Sequence, residues 1–196
     1  LTSDLFAVAA HPDDEAELVA VADDGTVALS RDGGATWSAQ RPHGGTWWWD
    51  VTVTTPGTWM ISGGGGTVLT SPDAETWTPQ TTGSTQTIRG LAVDPAGVLG
   101  SGADGTVLRS TDDGVTWAPR DIGDTGVELW RPAYGDGRWV IGGAAGTLVT
   151  STDTDTWEGT ARPAGPLHRL GTPGGRLIAA GSRPPAAPPH GGPGAA

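Results

Sequence analysis

The sequence predicts an all-β chain, a β-propeller of four-stranded antiparallel blades with four full blades and a partial fifth. Three observations carry that expectation. A Thr-Trp pair recurs every 40 residues, ending at Trp37, Trp77, Trp117 and Trp157. Gly and Pro supply 33 and 16 of the 196 residues, a density that belongs to short strands joined by turns. No stretch has helical periodicity, whereas Val27-Ala28-Leu29-Ser30 and Val68-Leu69-Thr70-Ser71 alternate as half-buried strands do.

The repeat extends beyond the Trp. Upstream of each lies Gly-Thr-Val or Gly-Thr-Leu, at Gly25, Gly66, Gly105 and Gly146, and between the two comes Ser-x-Asp, at Ser30/Asp32, Ser71/Asp73, Ser110/Asp112 and Ser151/Asp153. A unit of about 40 residues holding four short strands is a propeller blade. A lone blade cannot bury both its faces, so blades stack around an axis. The blades are expected at 5–40, 47–80, 87–120 and 128–160, with a partial fifth at 167–181, all within one domain, 1–182. In the third, the strands read Ile88–Val93, Val98–Gly102, Thr106–Ser110 and Thr116–Pro119. The fifth fails where a third strand is due, because Ser182-Arg183-Pro184-Pro185 cannot donate to a ladder. Residues 183–196, rich in Pro, Gly and Ala, are expected to be a disordered tail. A closed ring needs two more strands, and Leu1-Thr2-Ser3-Asp4 is too short to lend them. A chain truncated before Leu1, a homo-oligomer or a partner chain filling the fifth blade would each meet that need.

Composition narrows the function. Twenty-two acidic residues against 11 basic ones give a net charge of −11, which repels phosphate backbones and makes nucleic acid a poor partner. Every Lys/Arg position is Arg. The absence of Cys excludes disulfides, thiolate metal sites and Cys nucleophiles. No apolar run is long enough to span a membrane, and no signal peptide is visible. The compartment stays open, with an extracellular or cell-envelope setting preferred.

The string Ser-x-Asp-x-Gly-x-Thr-Trp, complete at Ser30–Trp37 and Ser110–Trp117 and one residue shorter at Ser71–Trp77 and Ser151–Trp157, resembles the Asp-box, or BNR, repeat. That repeat occurs in sialidases, sortilin-type receptors and photosystem II assembly-factor propellers. The even spacing of the boxes is most similar to the assembly-factor group, although the basic binding patch expected there is not evident. The resemblance implies that the Ser, Asp and Trp of each box are structural. Physical chemistry agrees: Ser and Asp side chains can bond the N–H groups of a tight turn, and Gly supplies its positive φ.

Candidate chemistry is sparse. Ala9-Ala10-His11-Pro12-Asp13-Asp14-Glu15 is similar to the zinc motif of LmbE-like de-N-acetylases, which would make His11 and Asp14 ligands and Asp13 a base. A catalytic zinc needs a third protein ligand. The downstream His-x-x-His that supplies it in that family is missing here, and the next segment alternates as a strand. A turn is the better reading, and no metal or cofactor is expected. Arg89, Arg131 and Arg169 lie on successive first strands, which line a propeller's channel. Sialidases clamp a carboxylate with three channel arginines, since a guanidinium fork matches it. In this chain Arg131 falls one residue out of step with Arg89, which on a strand would turn their side chains to opposite faces. Sialidase-like catalysis would also need Tyr134, with Glu128 to assist it. In the run Trp47-Trp48-Trp49, alternation must put at least one ring outside the packing layer, where it could stack on a sugar or a protein. The expected function is a non-catalytic scaffold presenting loops to a protein or glycan partner. The alternative is a carbohydrate-directed protein, lectin-like or sialidase-related, binding an acidic sugar in the channel.

Overall fold

The computed structural model describes residues 3–44, 46–123, 126–159, 167–171 and 178–181, the last two segments as strand backbone. Four antiparallel sheets of four strands each follow one another along the chain. Blade I holds β1 (Leu5–His11), β2 (Asp14–Ala22), β3 (Val27–Ser30) and β4 (Ser38–Gln40); blade II holds β5 (Trp48–Val53), β6 (Trp59–Gly63), β7 (Val68–Ser71) and β8 (Thr78–Gln80). Blade III holds β9 (Ile88–Asp94), β10 (Gly97–Gly102), β11 (Val107–Ser110) and β12 (Ala118–Pro119). Blade IV holds β13 (Ala133–Gly135), β14 (Arg138–Gly142), β15 (Leu148–Ser151) and β16 (Glu158–Gly159). A two-stranded antiparallel sheet, β17 (Leu167–Gly171) with β18 (Ile178–Gly181), comes after them. The chain is an all-β propeller with four blades. The expectation about Pro184 and the 183–196 tail lies outside the described residues.

Blade IV departs from the expected pattern at its first strand. The segment from Glu128 should be continuous, yet Leu129 makes only an isolated bridge to Gly143 and β13 starts at Ala133. Pro132 lies between them, and its missing N–H removes a ladder bond.

Period-2 alternation gives a blade two apolar faces: a leading face toward the preceding blade and a trailing face toward the next. Between blades I and II, Val19, Val21, Val27 and Leu29 pack on Trp48, Val51, Trp59, Ile61 and Leu69. Between II and III, Met60 and Val68 meet Ile88, Leu91, Val98 and Leu108. Between III and IV, Leu99 and Val107 meet Leu129, Trp139, Ile141 and Val149. Adjacent residues on one strand therefore serve different interfaces, as Ile61 and Met60 do.

The repeated hairpin between third and fourth strands is built alike in every blade. In blade I, Asp32 Oδ1 accepts the Ser30 hydroxyl at 2.8 Å and the Thr36 N–H at 2.8 Å, while Oδ2 accepts the Thr36 hydroxyl at 2.6 Å. Trp37 Nε1 donates to Gly34 O at 3.0 Å, closing the turn. The same roles fall to Ser71, Asp73 and Trp77, to Ser110, Asp112 and Trp117, and to Ser151, Asp153 and Trp157. The two shorter copies replace the glycine with Ala74 (φ 60°) and Thr154 (φ 67°), so a left-handed residue survives without Gly.

These bonds favour the carboxylates. The Thr36 hydroxyl foremost holds Asp32 at about 2, and the Thr76 and Thr156 backbone N–H groups foremost hold Asp73 and Asp153 at about 2. Asp112 is lowered too, chiefly by the Thr116 hydroxyl. A carboxyl whose folded pKa lies below its unfolded one stabilises the fold above the unfolded value and loses that contribution as pH falls through the folded one. The thermal midpoint is therefore expected to drop between about pH 4 and pH 2, and Asp32→Ala should make that drop smaller. Calorimetry across this range checks it; an unchanged drop would show that the Asp32 bonds carry no stability.

Candidate functional site

The first strands of the blades lie side by side, and the same irregularity interrupts their pairing. The register shifts between Leu5 and Ala7 in β1 and between Trp48 and Asp50 in β5; in β9 it shifts where Ile88 pairs with Gly102 and Gly90 with Ser101. β17 repeats it between Leu167 and Arg169. A bulge inserts one unpaired residue and re-aims its side chain. The bulged residues are Phe6, Trp49 and Arg89, and Trp130 holds the matching place after the Leu129 bridge.

These four side chains form a ladder across four consecutive blades. Phe6 stacks on Trp49 with ring centroids 4.7 Å apart and planes 2° apart. The Arg89 guanidinium lies 4.6 Å from the Trp49 ring centroid and 5.6 Å from that of Trp130. A cation between two indole faces is held by their quadrupoles. Arg89 Nε also donates to Glu128 Oε2 at 2.6 Å, and its two Nη nitrogens have no partner among the described residues. The guanidinium is thus fixed by its inner edge, with its outer edge uncommitted.

Arg131 sits one position further along, in step with Gly90 and Asp50. Its Nε donates to Leu91 O at 3.1 Å and lies 3.2 Å from Asp50 Oδ2. Asp50 is buried, and it also accepts the Leu91 N–H at 2.8 Å and the Val51 N–H at 3.0 Å. Three blades meet in this node: Asp50 from II, Leu91 from III and Arg131 from IV. Burial, opposed by the Arg131 charge, pushes the Asp50 carboxyl up to about 6. Arg89 and Arg131 therefore serve different carboxylates. Arg169 lies on β17, and its side chain is outside the described residues.

The Trp run divides three ways. Trp48 is fully buried and donates through Nε1 to Gly25 O at 3.0 Å. Trp49 joins the ladder, and Trp47 stays 52% exposed beside Gly64, where a Cβ would lie 2.9 Å from its Nε1. Glu128 is engaged by Arg89, and Tyr134 packs on Trp139 at 5.0 Å. Around His11 the β1–β2 turn is held by its own side chains. His11 Nδ1 accepts the Asp13 N–H at 3.3 Å, and Asp14 Oδ1 accepts the Ala16 N–H at 3.1 Å. Among the described residues no group of three His, Cys, Asp or Glu stands close enough to hold a metal ion.

Phe6 and Trp130 are not among the residues singled out from the sequence. The repeat alignment held the missing signal: each follows the apolar residue at the same repeat position (Leu5, Leu129) as Arg89 follows Ile88.

This arrangement defines a repeat β-propeller with an aromatic and guanidinium ladder across its first strands. No protein-family model matches the chain, and no curated protein sequence does. Solved structures do share the fold. YCF48 from Cyanidioschyzon merolae superposes with a TM-score of 0.66 at 17% identity, over 87% of this chain and 61% of that one. YCF48 bound to D1 peptide gives 0.71 at 20%, over 92% and 63%. The WD40 β-propeller domain of Doa1 gives 0.72 at 17%, over 91% and 62%. The chain thus spans less than two thirds of the length of each of these propellers, and identities this low establish the fold alone. Among the described residues no helix is long and apolar enough to cross a membrane.

Proposed function

We propose that the protein is a non-catalytic β-propeller that binds a segment of a partner protein across the ladder of its first strands. The observation that carries this is the uncommitted outer edge of Arg89, held between the Trp49 and Trp130 rings by Glu128. Such an edge offers paired donors to a backbone carbonyl or an acidic side chain, and the flanking rings offer apolar area at little entropic cost. Phe6, 45% exposed at the end of the stack, extends that surface. One of the fold neighbours, YCF48, is known in complex with a D1 peptide, which is consistent with peptide binding by this fold. The repeated Ser-x-Asp…Trp hairpins fit the Asp-box pattern and act here as fold residues. A clamp of several arginines on one sugar carboxylate would need Arg89 and Arg131 to converge, whereas they are tied to different carboxylates, Glu128 and Asp50, which disfavours the carbohydrate reading.

A displayed library of random dodecapeptides, panned against wild type and Arg89→Lys in parallel, tests this. Lysine keeps the charge but loses the fork. Wild type is expected to enrich a motif that binds the variant at least about tenfold more weakly. No enrichment, or a motif indifferent to Arg89→Lys, overturns the proposal. Binding to an acidic glycan array that requires Arg89 would overturn it in favour of a sugar ligand.

A further inference from the structure

The ladder is rich in hydrogen-bond donors and short of acceptors. Both Arg89 Nη nitrogens lack a partner among the described residues, and so do the indole N–H groups of Trp49 and Trp130, which are closed to solvent. Guanidinium and indole nitrogens can only donate. Their charge, however, is already matched. Arg89 lies 2.6 Å from Glu128 Oε2 and Arg131 lies 3.2 Å from Asp50 Oδ2, in a chain of net charge −11. An anionic segment would meet those carboxylates, so the complement of these donors is a neutral acceptor, the backbone carbonyl.

A ring beside the ladder enlarges the surface. Trp47 O accepts the Gly64 N–H at 3.2 Å, as Glu128 O accepts the Ala144 N–H at 2.8 Å in blade IV. Trp47 thus holds in blade II the place of Glu128, whose side chain reaches the ladder, and its indole stands at the rim of the same propeller face. Blade II is flanked by blades I and III, so the 52% exposure of this ring belongs to that face and not to an open blade edge. Gly64 seats it: a Cβ there would lie 2.9 Å from Trp47 Nε1 and 3.3 Å from its Cε2. Blades III and IV carry Ala103 and Ala144 at that turn position. The glycine run Gly63–Gly66 therefore clears a shelf for an exposed indole.

We infer that the partner segment is proline-rich and docks as a polyproline II helix across Trp130, Arg89, Trp49 and Trp47. This rests on the peptide-binding reading above. Proline rings pack on aromatic faces, and polyproline II leaves its carbonyls free while its prolines have no N–H to strand. The spacing fits as well. Arg89 stands 4.6 Å from the Trp49 ring and 5.6 Å from the Trp130 ring, which puts the rings no more than about 10 Å apart, and every third residue of polyproline II returns to the same edge after about 9 Å.

Fluorescence anisotropy of fluorescein-labelled decaproline, titrated with the full chain, is expected to give a dissociation constant below about 500 µM. Arg89→Lys and Trp47→Ala should each raise it at least about fivefold. Gly64→Ala should raise it by unseating the indole, while Val115→Ala, on an exposed hairpin at the opposite face, should leave it unchanged. Circular dichroism should match wild type in all four variants. Because the acceptors are neutral, raising salt from about 0.05 to about 0.5 M should move the constant by less than about twofold. No binding of decaproline, or binding indifferent to both Arg89→Lys and Trp47→Ala, overturns the inference. So does a peptide-library motif without proline, which would leave the peptide-binding reading standing; a library that enriches nothing overturns both.

Discussion

Gly90→Ala is expected to lower the thermal midpoint by about 6–12 °C, corresponding to about 3 kcal/mol in a chain of this size. A Cβ at Gly90 would stand 2.2 Å from Arg131 Cα and 2.9 Å from Arg131 N. Those atoms are backbone and cannot rotate away, so the first strands of blades III and IV would have to separate. Separation would stretch the bond from Arg131 Nε to Leu91 O and the bond from Ser101 Oγ to Trp130 O, both of which span this interface. Overpacking against side chains costs about 1–3 kcal/mol, and backbone contact belongs at or above the top of that range. Gly123→Ala is a useful comparison for space, since nothing lies within 4 Å of a Cβ there, although its φ of 73° adds local strain. A Gly90→Ala midpoint within about 2 °C of wild type would mean that the two strands do not touch as described.

The repeat made the architecture readable because each interface asks for the same residue types at the same register. Thr-Trp at a fixed interval reports a hairpin, and the alternation in Val68–Ser71 reports a strand, read as half-buried where the structure buries all four residues. Two details in the hairpins were hidden. Ala74 and Thr154 accept the left-handed turn of the shorter copies because the Ser and Asp bonds hold the chain there, and no glycine announces it. The site was legible only in part. Arg89 and the Trp run stand out by type, and the one-residue offset of Arg131 is visible in the alignment. Its consequence is not, because a bulge breaks the alternation that predicts where side chains point. The same bulge concealed Trp130 and Phe6. Asp50 reads as a single polar residue after three tryptophans, and nothing near it in sequence names Leu91 or Arg131 as its partners.

Stability is expected to fall as pH rises from about 4 to about 6, and Asp50→Asn should abolish that slope. The folded Asp50 carboxyl titrates at about 6, above its ordinary 3.8, because burial penalises the charge more than Arg131 and the Leu91 and Val51 N–H groups favour it. Between the two values the folded protein holds a proton that the unfolded chain has released. The stabilisation is complete below the unfolded pKa and is lost as pH rises through the folded one, amounting to about 3 kcal/mol. Asparagine keeps an acceptor for the Leu91 N–H and has no proton to lose in this range. Asp50→Ala removes the acceptor as well, leaving a buried N–H and the inner edge of Arg131 without it, and should cost about 3 kcal/mol near neutral pH. The hairpin aspartates act in the opposite direction below about pH 4, so the two sets of carboxyls together place maximum stability on the acid side of neutrality. Urea midpoints at half-unit steps from pH 3 to pH 8 separate them. A wild-type curve that is flat from pH 4 to 6, or one whose slope survives in Asp50→Asn, would show that the three-blade node does not hold a carboxyl in this environment.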